Sequence, residues 1–176
     1  MRSKKLPLYV AGGAGVSALA AVLGISLAGS GGGGTLTASP KSTVVQTRNT
    51  SIGRVLVDVQ GRTLYLFAKD SGSKSSCIGS CTVDWPPVPV TGAVRAGSGA
   101  SPAALGSIAR SGGGRQLTYN GHPVYYFDDD EKAGQTKGQA IDEFGAKWYA
   151  LAADGRAVTT APGAAKAGSG GSGYGY

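Results

Sequence analysis

From Thr43 the chain alternates branched or aromatic residues with polar ones at the two-residue period of half-buried strands. Thr43-Val44-Val45-Gln46-Thr47, Val55-Leu56-Val57-Asp58-Val59 and Thr63-Leu64-Tyr65-Leu66-Phe67 each predict a β-strand. Gln60-Gly61 separates the last two. A two-residue turn there predicts a hairpin pairing Val57 with Leu64, Leu56 with Tyr65 and Val55 with Leu66. A second hairpin runs from Gln116–Tyr119 through Asn120-Gly121 into His122–Phe127, with Leu117 opposite Val124. Asn-Gly is the strongest short hairpin signal, because both residues accept the left-handed backbone of the turn. Pro123 has no amide hydrogen, so it predicts an edge position or an outward-facing bond.

The same pattern, Tyr-x-Phe-x-x-Asp, follows each turn: Tyr65, Phe67 and Asp70, then Tyr125, Phe127 and Asp130, sixty residues apart. Alternation puts Tyr65 with Phe67, and Tyr125 with Phe127, on one face of each hairpin, while Leu64 and Leu66 take the other. A tryptophan closes each half, Trp85 before Pro86-Pro87 and Trp148 before Tyr149. These aromatics are expected to form one buried layer, with Asp70 and Asp130 accepting backbone amides or a tyrosine hydroxyl from the neighbouring repeat. The competing expectation is an exposed aromatic pair that binds a glycan, quinone or peptide. The fold class is mainly β: a small antiparallel domain over 43–160, built from two hairpin-based repeats at 52–90 and 115–152, with disordered Gly-rich flanks.

Met1–Lys5 is basic and Leu6–Gly29 is uncharged and apolar, the organisation of an export signal. The stretch is also long enough to stay as a membrane anchor, so residues 1–30 are expected to be a signal peptide or an N-terminal anchor. Leu27-Ala28-Gly29-Ser30 carries serine where a lipobox needs a cysteine thiol, so no lipidation is expected at Ser30. Residues 31–42 form a Gly/Ser-rich linker and 161–176 a disordered tail. Glycines around 97–114 predict a loose joining segment, with a short helical turn at Pro102–Ile108. The formal charge is +7, but Arg2, Lys4 and Lys5 belong to an N-terminal segment without acids, which leaves 14 basic and 10 acidic residues, or +4. The remaining bases are scattered singly, and nucleic-acid binding is excluded on that ground.

In an exported protein, Cys77 and Cys81 are expected to form a disulfide. The alternative makes them a redox dithiol or, with His122, a copper site. Asp128-Asp129-Asp130-Glu131, with Asp142 and Glu143 beyond it, lacks the ligand spacing and glycine of a calcium loop. No serine stands on a strand-to-helix elbow beside His122, and no glycine run ends in Lys-Ser or Lys-Thr. A carboxylate pair among Asp58, Asp70, Asp84 and Asp130 is the one enzymatic arrangement left open.

Gly61-Arg62-Thr63-Leu64-Tyr65-Leu66-Phe67-x-x-Asp70, then Cys77-Ile78-Gly79-Ser80-Cys81 and Trp85-Pro86-Pro87, resembles the bacterial secreted-repeat lipoproteins named for a Tyr-x-(Phe/Trp/Tyr)-x-x-Asp motif. Tyr119–Phe127 with Asp130, Gly138-Gln139 and Trp148-Tyr149 is similar to that family's second repeat, and the resemblance spans Ile52 to Leu151. It implies an exported, often lipid-anchored envelope protein with no assigned activity, and it carries over no catalytic residue. The expected function is a non-catalytic surface or binding module at the cell surface or outside the cell, without cofactor. Its partner would be an envelope component or small ligand, with membrane contact through 6–29 if that segment stays attached. The alternative is an extracytoplasmic redox or copper-handling accessory using Cys77, Cys81 and His122.

Overall fold

A computed structural model of the chain describes residues 42–159. The signal or anchor 1–30, the linker up to residue 41 and the tail 161–176 lie outside the described residues. Among the described residues no helix is long and apolar enough to cross a membrane.

Among the described residues, nine short strands form three sheets of three. In the first, β1 (Thr43–Thr50) lies between antiparallel β2 (Gly53–Asp58) and parallel β4 (Val94–Ala96). β3 (Tyr65–Phe67) pairs with β9 (Ala146–Ala150), which carries β8 (Asp142–Glu143) on its far side. β5 (Leu105–Ala109), β6 (Arg115–Tyr119) and β7 (His122–Pro123) make the third sheet. One helical turn, α1 (Cys81–Asp84), precedes Trp85.

The second hairpin has the register expected of an Asn-Gly turn. Tyr119 faces His122, Thr118 faces Pro123, and Val124 donates to the Leu117 carbonyl at 3.1 Å. Asn120 and Gly121 both have positive φ, and Pro123 stands in the edge strand of its sheet.

The first hairpin differs by one residue. Asp58 N–H donates to the Arg62 carbonyl at 3.0 Å, Val57 bridges Thr63, and Leu64 donates to Leu56 at 3.0 Å. The loop is therefore three residues, Val59-Gln60-Gly61, with Gly61 at φ +81° in the left-handed position that such loops require. A one-residue slip exchanges faces. Val55 and Val57 consequently join Tyr65 and Phe67 in one core, and Leu56 joins Leu64 and Leu66 in the other.

The segment expected to be loose between the repeats is also structured. Residues 91–114 contain β4, a 3₁₀ turn that ends at Ala104, and β5. β5 holds five consecutive pairs to β6, from Leu105 opposite Tyr119 to Ala109 opposite Arg115. Hydrogen bonding to a regular neighbour overrides its small-residue composition.

The two repeats interlock. In the first hairpin, Leu56 donates to the Leu151 carbonyl, Leu151 to Leu64 and Leu64 to Leu56. The second repeats this cycle with Leu117, Val88 and Val124. Each hairpin thus opens around the closing segment of the other repeat. Tyr65 and Tyr125 mark the centre, each donating its N–H to the other's carbonyl at 2.9 and 3.0 Å.

Candidate functional site

The motif residues assemble around this centre. Phe67, Trp148, Trp85 and Phe127 form a continuous column of rings, with successive centroids 4.0, 3.9 and 4.4 Å apart. Each phenylalanine stacks on the tryptophan of the other repeat. Tyr65 meets Trp85 edge-on at 5.5 Å and Tyr125 meets Trp148 at 5.1 Å, the geometry that sets a positive ring edge against a negative face. All six rings are buried. Gly138 is required against this wall, since a Cβ there would stand 2.9 Å from the Trp85 and Tyr65 rings.

The aspartates exchange partners in the same way. Tyr65 Oη donates to Asp130 Oδ2 at 2.6 Å and Tyr125 Oη to Asp70 Oδ2 at 2.7 Å. The second oxygen of each accepts an amide of the following loop, Lys137 N for Asp130 and Ser76 N for Asp70. Burial raises both carboxyls above the usual aspartate range, against the pull of these hydrogen bonds. Burial, reinforced by the carboxylate partner, holds the Tyr65 and Tyr125 phenols well above the usual tyrosine range. The indole N–H groups of Trp85 and Trp148 both end at Glu143, on Oε2 at 3.0 Å and on the carbonyl at 3.2 Å.

Cys77 and Cys81 form a disulfide, with Cα atoms 5.3 Å apart, packed against the aromatic core. His122 stands in β7 opposite Tyr119. Among the described residues no group of three His, Cys, Asp or Glu side chains is placed to hold a metal ion.

Open space lies where the repeats differ. Matched positions are sixty residues apart after each turn and sixty-one apart on β2 and β6, the difference being the extra loop residue. Tyr126 therefore occupies the place of Leu66, Arg62 that of His122 and Asp58 that of Tyr119. In a cleft of about 360 Å³, Arg62 lies over the Tyr126 ring with its guanidinium carbon 3.8 Å from the ring centre. Asp58 fixes it there. Its Oδ2 accepts Arg62 Nε at 2.8 Å and Tyr126 Oη at 3.1 Å, and its Oδ1 accepts the amides of Gln60 and Arg62. Burial, then the Asp58 charge, raises the Tyr126 phenol above its usual range. Thr43, Pro89 and Thr91 complete the walls.

Sequence reasoning singled out neither Arg62 nor Tyr126. Tyr126 reads as one more aromatic beside the motif, and a base after a turn reads as solvated. Placing the repeats in register would have exposed both as unduplicated.

Fold and core together define a two-repeat β protein whose repeats complete each other. The family model described as a secreted repeat of unknown function matches twice, at residues 46–89 and 106–152, and the chain belongs to that family. It is thus an exported protein. Both matches begin in a strand upstream of the hairpin, β1 and β5, which makes each repeat a three-strand unit. No curated protein and no solved structure matches the chain.

Proposed function

We propose that the protein is a non-catalytic binding module of the cell envelope, whose ligand enters the cleft beside Arg62 and Tyr126. One observation carries this reading: a cleft of about 360 Å³ is built on Asp58, Arg62 and Tyr126, at positions where the duplicated architecture has been abandoned. A guanidinium that keeps a planar orientation on an aromatic ring suits hydrogen bonding to a polar ligand. The Asp58 carboxylate accepts four hydrogen bonds from the protein and pairs with Arg62 Nη2 at 2.8 Å, which fits an orienting role better than proton transfer. In this reading residues 6–29 hold the domain at the membrane if that segment stays attached, cleavage releases it outside the cell, and Ser30 is not lipidated. The reading invokes no cofactor; a copper site would need Cys77 and Cys81 as free thiolates, whereas they are joined in a disulfide.

The test is retention of the full exported protein on isolated cell-envelope fragments, comparing wild type with Arg62→Ala and Tyr126→Phe. A several-fold loss of retention in Arg62→Ala, at a near-normal melting temperature, is expected. Equal retention of all three proteins overturns the assignment of this cleft.

A further inference from the structure

A second cleft, of about 140 Å³, lies between the loop after the first motif and the β5–β6 turn. Its polar walls are Ser73, Lys74, Ser75, Arg110 and Ser111, with Ile78 and Ile108 beside them. Arg110 is unusual in how it is held. Nη1 donates to Ser75 Oγ at 2.8 Å and to Gln116 Oε1 at 2.6 Å, and Nη2 to the Cys77 carbonyl at 2.8 Å.

All three acceptors are neutral. Gln116 is fully buried and its amide is fixed in orientation, because Nε2 donates to the Val124 carbonyl at 2.9 Å. Three of the five guanidinium donors are thus spent on protein, while Nε–H and one Nη2–H bond to none of the described residues. Neither Arg110 nor Lys74 forms an ion pair with a carboxylate among the described residues. Asp70 lies within charge range of Arg110 but has its oxygens on Ser76 N and Tyr125 Oη.

A half-buried, pre-oriented cation without a contacting counter-charge, beside a second cation and the Ser111 hydroxyl in a compact space, is matched by a many-oxygen anion better than by a planar carboxylate. The other half of the molecule shows why the space is open here. Arg48, sixty residues before Ile108 in the matched strand, covers Gly134 in the matched loop, its Nε 3.0 Å from where a Cβ would stand. Ile108 is shorter and leaves a gap. We propose that this cleft binds a phosphate-type oxyanion, gripped by Arg110 and Lys74 with the Ser111 hydroxyl as a further donor, since the Ser73 and Ser75 hydroxyls already donate to the Gly121 carbonyl and to Tyr125 Oη or the Cys77 carbonyl. The site is separate from the Arg62 cleft and does not depend on its assignment.

Isothermal titration of the full chain with inorganic phosphate, at constant ionic strength, tests this. Saturable one-site binding is expected, unchanged in Arg62→Ala. It weakens several-fold in Lys74→Gln and about tenfold in Arg110→Lys, which keeps the charge but loses the fork. Should Arg110→Lys fail to fold, Lys74→Gln decides alone, since Lys74 is exposed and its bonds to Ser71 are made by the backbone, which the substitution keeps. Titration with glycerol phosphate separates the sources. Binding of inorganic phosphate alone assigns the free ion, and binding of both assigns a terminal phosphate on an envelope molecule. Absence of binding for both, or equal affinity in wild type and Lys74→Gln, overturns the proposal.

Discussion

The two halves of the molecule run the same strand pairing with different outcomes. β3 meets Trp148-Tyr149-Ala150 as a ladder, with Tyr65 opposite Ala150, Leu66 opposite Tyr149 and Phe67 opposite Trp148. Ala68 extends it by donating to the Lys147 carbonyl at 2.9 Å. The matched stretch Tyr125–Phe127 meets Trp85-Pro86-Pro87. There Tyr126 donates to Pro86 and Asp128 to Asp84, each at 2.9 Å, and Pro87 bridges Tyr125. The bonds directed towards the prolines are kept, but those the prolines would donate cannot exist. The aromatic column is nevertheless continuous across both sides. Side-chain stacking therefore sets the geometry of this centre, and the ladder is optional to it.

That difference gives three expectations, in decreasing order of effect. Trp85→Ala and Trp148→Ala should each cost about 3 to 5 kcal/mol in chemical denaturation, because each leaves a cavity inside one shared column. Unequal losses would mean that the regular ladder supports its tryptophan independently of the stack.

Tyr149→Pro reproduces on β9 what Pro86 does on the other side. It should cost about 1 to 3 kcal/mol, the price of one lost ladder donor and an unpaired buried carbonyl. The reverse change, Pro86→Ala, should lie within about 1 kcal/mol of wild type, since its main effect is a looser unfolded chain. A larger loss in Pro86→Ala would show that the prolines themselves fix the Trp85 side.

The smallest effect is on pH. A carboxyl raised in the fold keeps a proton there that the unfolded chain has already released. The contribution of Asp70 and Asp130 to stability is therefore complete below the usual carboxylate range and is lost as pH rises from about 4. Melting temperatures across that range should decline for wild type and decline less for Asp70→Asn and Asp130→Asn. An identical slope in all three would place the pH response elsewhere.

These contrasts also mark how far the sequence was legible. Period-two alternation placed Tyr65 and Phe67 correctly against Leu64 and Leu66, since it needs no partner strand to be known. Asn120-Gly121 fixed the second register because both residues accept positive φ. Gln60-Gly61 did not fix the first. Only Gly61 is left-handed there, and it serves a three-residue loop that two letters cannot distinguish from a two-residue one. β5 was hidden by composition, because Leu105-Gly106-Ser107-Ile108-Ala109 becomes a strand only beside β6. Arg62 and Arg110, the cations at the two clefts, look in sequence like scattered surface charge. Their orientation comes from Asp58, Gln116 and Cys77, and no local pattern encodes those contacts.

The exchange of closing segments also bears on how the protein can be made. The first hairpin waits for Leu151 and the second for Val88, so the mouth of the earlier repeat is filled by one of the last residues of the domain to be synthesised. Repeat one cannot settle while repeat two is still unmade. For an exported chain this order means that no early half is complete before the rest of the domain has been made.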